Sequence, residues 1–321
     1  MKPRKQSRAM ANAISAGARG AGMIAVPHRA ERAPRAPRPL RSASTAFGFP
    51  RNSFGHRFVY AVISPRAAGL SIGVNMNPDK HCNFDCVYCE VNRETPGVDR
   101  EADIPVLTAE LREMIAWARE SRFAALPEYR GVPGELLRLR EVALSGDGEP
   151  TLSPNFREIV EAVVHVRALA GMPFFKLVLL TNATGLDLPG VSEGLRCFTA
   201  RDEVWAKLEV GTQSGMDRIN RGIVPIEKVL TNIRNLARER PVVIQSLFCR
   251  HLGAGPSWDE ITAYIARLNE LKSAGAQLPL VQIYSAYRPT VHTECEHLAL
   301  PALSEIARRV RLETGLLVQV C

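Results

Sequence analysis

The chain has 321 residues, 46% of them hydrophobic, and a formal charge of +8. That length allows one large core or two smaller ones, and no stretch approaches the ~18–20 consecutive apolar residues of a membrane helix. The charge is unevenly placed: residues 1–57 carry 12 of the 41 basic residues and one of the 33 acidic ones, which leaves 29 basic and 32 acidic side chains for residues 58–321.

Residues 1–50 are rich in Ala, Arg, Pro, Ser and Gly and have no apolar periodicity, so a disordered basic tail is expected there. Arg-rich, acid-poor composition is shared with organelle transit peptides, but the apolar h-region of a secretory signal is missing. A start codon further along, at Met10 or Met23, is the other plain explanation. Residues 51–321 are expected to fold, with a cytoplasmic location and no membrane association. Their near balance of charge argues mildly against large-area RNA binding, which normally shows a basic face.

The first strand pattern, Ser71–Asn75, is followed by His81-Cys82-Asn83-Phe84-Asp85-Cys86-Val87-Tyr88-Cys89-Glu90. Three thiolates this close can hold three corners of an iron–sulfur cube, and a cluster that only carries electrons is normally closed by four. An open iron can bind a substrate or cofactor directly. Zinc held by the same thiolates and His81 is the competing reading, though adjacent residues rarely converge on one metal without strain. Seven cysteines are an odd count, which speaks against a disulfide framework.

A helical pattern at Thr108–Arg122 and an irregular insertion at Ala124–Arg140 precede a strand at Glu141–Leu144. The strand runs into Ser145-Gly146-Asp147-Gly148-Glu149-Pro150. Two glycines let a backbone come close to a ligand, although a plain turn has the same composition. A helix at Pro154–Leu169 leads to a strand at Lys176–Leu180, which ends on Thr181 and Asn182. In the strand Val204–Val210, Lys207 and Glu209 share one side. Leu208 and Val210 suit the helix-covered side, so the charged pair faces inward, as a mutual salt bridge or in contact with ligand. Gln245, Gln282 and Tyr284, on strands Val242–Leu247 and Leu280–Ser285, are expected to face inward as well.

Helices are expected at Ile226–Arg238, Ser257–Lys272 and Pro301–Glu313. Ser257 and Glu260 form a capping-box pattern, and Pro301 suits a first turn. Strands alternating with helices imply parallel pairing with right-handed crossovers. Six strands suggest an incomplete α/β barrel, with chemistry at the strands' C-terminal ends. The cysteine loop, the glycine loop and Thr181–Asn182 all fall there.

The C-x-x-x-C-x-x-C spacing with an aromatic before the last cysteine resembles the signature of the radical S-adenosylmethionine enzymes. Gly146-Asp147-Gly148-Glu149-Pro150 resembles their glycine motif, in the form of the branch containing the tRNA wyosine-base enzymes and their bacterial relatives. Weaker pieces in the same order are Gly73-Val74-Asn75, Leu180-Thr181-Asn182-Ala183-Thr184, Trp205-Ala206-Lys207-Leu208-Glu209 and Val281-Gln282-Ile283-Tyr284-Ser285-Ala286-Tyr287-Arg288-Pro289-Thr290. The resemblance runs from about Phe58 to Cys321. It implies a partial (β/α)6 TIM-like barrel with one [4Fe-4S] cluster on Cys82, Cys86 and Cys89.

It further implies S-adenosyl-L-methionine held by Ser145, Gly146, Asp147, Gly148 and Glu149, with Thr181 or Asn182 on its ribose or methionine part. Tyr88 would lie against the adenine, or else be a packed core aromatic. Glu209 would reach the cofactor, and Lys207 would take a catalytic role. Reductive cleavage would then yield a 5′-deoxyadenosyl radical that removes hydrogen from an unassigned substrate (small molecule, protein or RNA), with a ferredoxin or flavodoxin as reductant. Wyosine-type tRNA modification, glycyl-radical-enzyme activation, plain electron transfer and a structural zinc site are the rivals. Wyosine-forming enzymes carry additional N-terminal cysteines, whereas no cysteine here precedes Cys82, and Cys197, Cys249, Cys295 and Cys321 lack metal-ligand spacing. A bulky residue at Gly146 or Gly148 is expected to weaken cofactor binding and spare the cluster, because the cysteines are on another loop.

Overall fold

The computed structural model describes residues 53–97 and 99–321, so the tail expected at residues 1–50 lies outside it. Strands β1 (Val59–Ser64) and β2 (Gly69–Asn75) form an antiparallel hairpin. Helices then alternate with strands: α1 (Ile104–Arg119), β3 (Leu139–Ser145), α2 (Phe156–Leu169), β4 (Lys176–Thr181), α3 (Pro189–Leu195) and β5 (Glu203–Lys207). Next come α4 (Gln213–Ile219), α5 (Ile226–Glu239), β6 (Val242–Leu247), β7 (Cys249–His251) and α6 (Trp258–Ser273). The chain ends with β8 (Val281–Tyr284), β9 (Cys295–His297), α7 (Leu300–Thr314) and β10 (Val318–Val320).

The main sheet runs β1-β2-β3-β4-β5-β6-β8-β10, parallel from β2 onward, and curls into a half-barrel. β7 and β9 pair separately as an antiparallel ribbon. The six expected strands are β2 to β6 and β8; β1 and β10 extend the sheet at its two edges. β5 is shorter than the expected Val204–Val210. Beyond Lys207 the Ser246 hydroxyl takes the Leu208 carbonyl (2.7 Å), so the ladder gives way to a side-chain contact.

Alternation along the strands sorts the residues into two faces. Leu70, Ile72, Val74, Leu177, Leu179, Val204, Ala206, Leu208 and Ile244 pack under the helices in one continuous core. Val178, Trp205 and Val243 form a separate apolar group on the inner face. Beside it lies a polar one: Ser71 Oγ donates to Glu141 (2.9 Å), and Lys176 pairs with Glu203 at 2.9 Å and with Glu141 at 4.0 Å.

Helix starts follow local chemistry. Asp103 accepts the Val106 N–H (3.1 Å) and Pro105 occupies the first turn, so α1 begins before the expected Thr108. The Ser257–Glu260 capping box is formed. α3 and α4, seven residues each, are too short to show an apolar period and were not expected. The insertion holds three short 3-10 turns at Arg122–Ala125, Pro127–Tyr129 and Gly134–Leu137, and Tyr129 ties it to the Ala61 carbonyl (2.9 Å).

One buried carboxylate fastens the lower end of this scaffold. Asp202 accepts from Arg167 (2.5 and 3.0 Å), from the amides of Leu177 and Thr199 (both 2.7 Å) and from the Thr199 hydroxyl (2.9 Å). Burial alone would raise its pKa, but the Arg167 guanidinium and the other donors hold it below the usual carboxylate range.

Candidate active site

The cysteine loop leaves the C-terminal end of β2 and lies against the residues that end α4. Asp85 and Val87 donate their N–H groups to the carbonyls of Asn220 (3.1 Å) and Ile219 (2.9 Å). Cys82, Cys86 and Cys89 are free thiols, each half-buried. Each sulfur meets an N–H donor: Cys82 from Phe84 (3.4 Å) and Asn182 (4.0 Å), Cys86 from Asn220 (3.7 Å), and Cys89 from Arg93 (3.6 Å). Burial pushes the Cys82 thiol up to about 11 and the Cys86 thiol up to about 12, with Glu149 and Glu209 adding to the respective shifts. Uncompensated thiolates are therefore disfavoured here, and a positively charged group between them would relieve that cost.

The glycine loop leaves β3 and is welded to its neighbours. Glu149 is buried, and its carboxylate accepts from the Thr151 N–H (3.1 Å), the Thr151 hydroxyl (2.6 Å), the Thr181 hydroxyl (2.5 Å) and the Asn182 N–H (2.7 Å). Its own N–H donates to the His81 carbonyl (2.9 Å). Glu149 and Thr181 thus join the loops after β3 and β4 to the cysteine loop, and both are committed to protein partners. Asn182 continues that seam by donating to Asn83 (2.9 Å).

Both glycines are needed for close approach. Gly146 has φ +147°, and a β-carbon there would fall 2.4 Å from Asn75 Oδ1; one on Gly148 would fall 1.9 Å from the His81 oxygen. Since His81 precedes Cys82, the expectation that bulk at Gly148 would spare the cluster is corrected: the two loops touch at that point. Asn75 accepts the Asp147 N–H (3.0 Å) and donates to its carboxylate (2.8 Å), while Ser145 shares a hydrogen bond with Tyr60 (2.8 Å).

Lys207 and Glu209 both face inward, but not as a mutual salt bridge. Glu209 is buried and accepts from the Tyr88 hydroxyl (2.8 Å) and from Asn220 (3.0 Å). The Lys207 ammonium lies 5.0 Å above the Tyr88 ring. Burial by itself would lower the lysine pKa, yet Tyr284, Glu209 and Cys86 together raise it, so Lys207 is a cation. Tyr88 is a packed aromatic with Val87, Leu247 and Cys249, and it also carries Glu209 and Lys207.

Asn220 was missed by sequence reasoning. Its amide reaches Cys86, Glu209 and the Tyr88 hydroxyl (3.3 Å) together. An Asn two residues before Gly222 at a helix end marks a C-terminal cap, and nothing local announces the rest. The β8–β9 loop covers the cysteine loop: Val291 donates to the Cys89 carbonyl (2.8 Å), Arg288 pairs with Glu90 (3.2 Å) and His292 meets Asp85 (3.1 Å). The β7–β9 ribbon brings Cys249 and Cys295 together, two cysteines whose sequence spacing gave no hint of contact.

Among the described residues no three His, Cys, Asp or Glu side chains are gathered about one point where a metal ion could sit. A cube makes a different demand, because each of its irons takes its own thiolate. The donor set fits a cube: three thiols on one loop, each met by an N–H donor, with His81 exposed and its carbonyl engaged elsewhere.

This half-barrel, with its cysteine loop after the first parallel strand, is the fold of the radical S-adenosylmethionine enzymes. Similar solved structures are TYW1 with a lysine-pyruvate adduct bound (TM-score 0.51, 16% identity, covering 75% of this chain and 73% of that one) and Streptococcus suis SuiB bound to S-adenosylmethionine (0.51, 15%, 80% and 52%). A spore photoproduct lyase variant with bound AdoMet and dinucleoside spore photoproduct is a third (0.51, 10%, 81% and 78%). The chain belongs to the UPF0026 family. It is 31% identical over 229 residues to the UPF0026 protein slr1464 of Synechocystis sp., covering 68% of this chain and 74% of the relative. It is 24% identical over 247 residues to a UPF0026 protein of Helicobacter pylori, covering 75% and 71%. No family profile matches the chain.

Proposed function

We propose that this protein is a radical S-adenosylmethionine enzyme in which Cys82, Cys86 and Cys89 hold one [4Fe-4S] cluster. The observation that carries this reading is the three-thiol loop, each sulfur met by an N–H donor, set against the glycine loop at the open end of the half-barrel. When bound, the cluster supplies the electron that splits S-adenosylmethionine into methionine and a 5′-deoxyadenosyl radical, which then takes hydrogen from a substrate.

The residues divide the work. Phe84, Asn182, Asn220 and Arg93 direct N–H groups at the three sulfurs, favouring their thiolate form. Glu149 fixes the rim of the site, being saturated by Thr151, Thr181 and Asn182. The backbone of Ser145–Gly148 is the part of that rim offered to the cofactor's methionine end. Tyr88 orients Glu209 and carries Lys207 on its ring face. A small acidic electron carrier such as a ferredoxin or flavodoxin would act as reductant.

Anaerobic reconstitution with iron and sulfide, followed by a strong reductant and S-adenosylmethionine, tests the reading. Slow release of 5′-deoxyadenosine and methionine without substrate is expected, together with a change in the reduced-cluster spectrum on adding cofactor. A protein that holds the cluster but shows neither would be an electron carrier; one that retains zinc would be a structural metalloprotein.

A further inference from the structure

The register of the small antiparallel ribbon sets Cys249 of β7 opposite His297, and Cys295 of β9 opposite His251. Residues two apart on a strand share a face, and so do cross-strand partners. The two cysteines are therefore diagonal neighbours on one face, while Arg250 and Glu296 pair on the other at 3.7 Å. Both thiols are free, and Cys249 directs its S–H at the Cys295 sulfur. Cys249 is 6% exposed and packs with Val87, Tyr88 and Leu247, whereas Cys295 is half-buried at the edge of that group. The hydrogen bond from Cys249 holds the Cys295 thiol below its ordinary range, so the more accessible sulfur is the one with thiolate character.

This pair anchors the segment that covers the cysteine loop. Residues 285–294 run from β8 to β9 and touch that loop through Val291 on the Cys89 carbonyl (2.8 Å), Arg288 on Glu90 (3.2 Å) and His292 on Asp85 (3.1 Å). Next to Cys295, Glu294 pairs with Arg221 (2.7 Å) and its carbonyl accepts the Leu252 N–H (2.9 Å). Every one of these ties is non-covalent. A two-stranded ribbon of three residue pairs adds little stability of its own. A bond between the two sulfurs would fix the C-terminal end of the cover to β7, beside the Tyr88 ring.

We propose that Cys249 and Cys295 are a redox-active dithiol that exchanges with small disulfides of the glutathione disulfide class and, once bridged, holds residues 285–294 down on the cysteine loop. The Cys295 thiolate attacks one sulfur of the external disulfide, whose S–S bond breaks and releases a first thiolate. Cys249 then gives up its proton and attacks the Cys295 sulfur, expelling the second thiolate. The two protein sulfurs lose two electrons; the external disulfide gains them and leaves as two thiols, which carry away the protons. The bridge stands on register and contact alone, whereas its purpose, control of access to the cluster, rests on the radical reading.

The test is equilibration of the anaerobically reconstituted full chain in mixtures of reduced and oxidised glutathione, followed by acid quench, alkylation and peptide mass spectrometry. A linked Cys249–Cys295 peptide should rise with the oxidised fraction. Cys249→Ala and Cys295→Ser should lack it with iron content unchanged, and Cys321→Ser should retain it. The Val291 amide should exchange its hydrogen about tenfold more slowly in the bridged protein than in the dithiol. Cys295→Ser should show the faster rate in both conditions. Two thiols that stay free in fully oxidised buffer, linkage to another cysteine instead, or equal Val291 exchange in the two states would overturn the proposal. Zinc retained by the wild type and lost from both variants would overturn it too, by making the pair a metal site. Bridging and slowed exchange in a chain that releases no 5′-deoxyadenosine would instead remove the radical reading and leave the dithiol standing.

Discussion

A β-carbon on Gly148 would lie 1.9 Å from the carbonyl oxygen of His81, so the glycine loop and the cysteine loop share one contact surface. The Glu149 N–H to His81 hydrogen bond (2.9 Å) closes the same seam one residue later. Two loops that leave different strands therefore behave as one unit.

The first prediction follows from that seam. Gly148→Val should lose both S-adenosylmethionine binding and most of its iron, because the backbone before Cys82 must move. Gly146→Val should act first on the Asn75–Asp147 pair and retain more iron. Iron and sulfide content measured beside cofactor binding separates the two, and full iron in Gly148→Val would refute the shared surface.

Replacing Cys82, Cys86 or Cys89 with Ala should abolish the brown absorption and release of 5′-deoxyadenosine, with a loss of about four irons per chain. Cys197→Ala and Cys321→Ala should retain full iron. If either of these lowers iron content, a single three-cysteine cluster is the wrong description.

Asn220→Leu should cost about 1–3 kcal/mol of stability, because Glu209 loses a buried donor. It should also shift the cluster to a more negative potential, since an N–H donor to Cys86 favours the reduced state. Redox titration checks this. An unchanged potential with lowered stability would leave Asn220 a purely structural residue.

Asp202 sets an acid limit on the fold. Its pKa is lowered in the folded state, so its stabilisation is complete above the unfolded value near ~4 and is lost as pH falls through the folded value. Asp202→Asn should cost about 3 kcal/mol at neutral pH and flatten the decline that sets in as pH falls below about 4. Urea midpoints across that range measure both, and parallel declines in the two proteins would exclude Asp202 as the cause.

Much of this architecture is legible in short stretches of chain. The period of two in Glu141–Leu144 and in Trp205-Ala206-Lys207-Leu208 gives both strand identity and the facing of Lys207, because alternation is a property of neighbouring residues. Ser257 and Glu260 announce α6 for the same reason. β1 and β10 gave weaker signals, being edge strands with one neighbour each and a partly exposed face. The inward placement of Lys207 and Glu209 was readable, but their pairing was not. Tyr88 and Asn220 reach Glu209 from 121 and 11 residues away in sequence.

The sequence alone determined the three-thiol loop, the glycine turn and the order of strands and helices, since each depends on spacing within a few residues. Only the tertiary structure decided that Gly148 is pressed against His81, that Asn220 meets a cysteine 134 residues distant, and that Lys207 stands over the ring of Tyr88. Curling the sheet brings the first strands and the last ones to the same interior. Which side chains then meet depends on strand register and loop path, neither of which leaves a mark in local sequence.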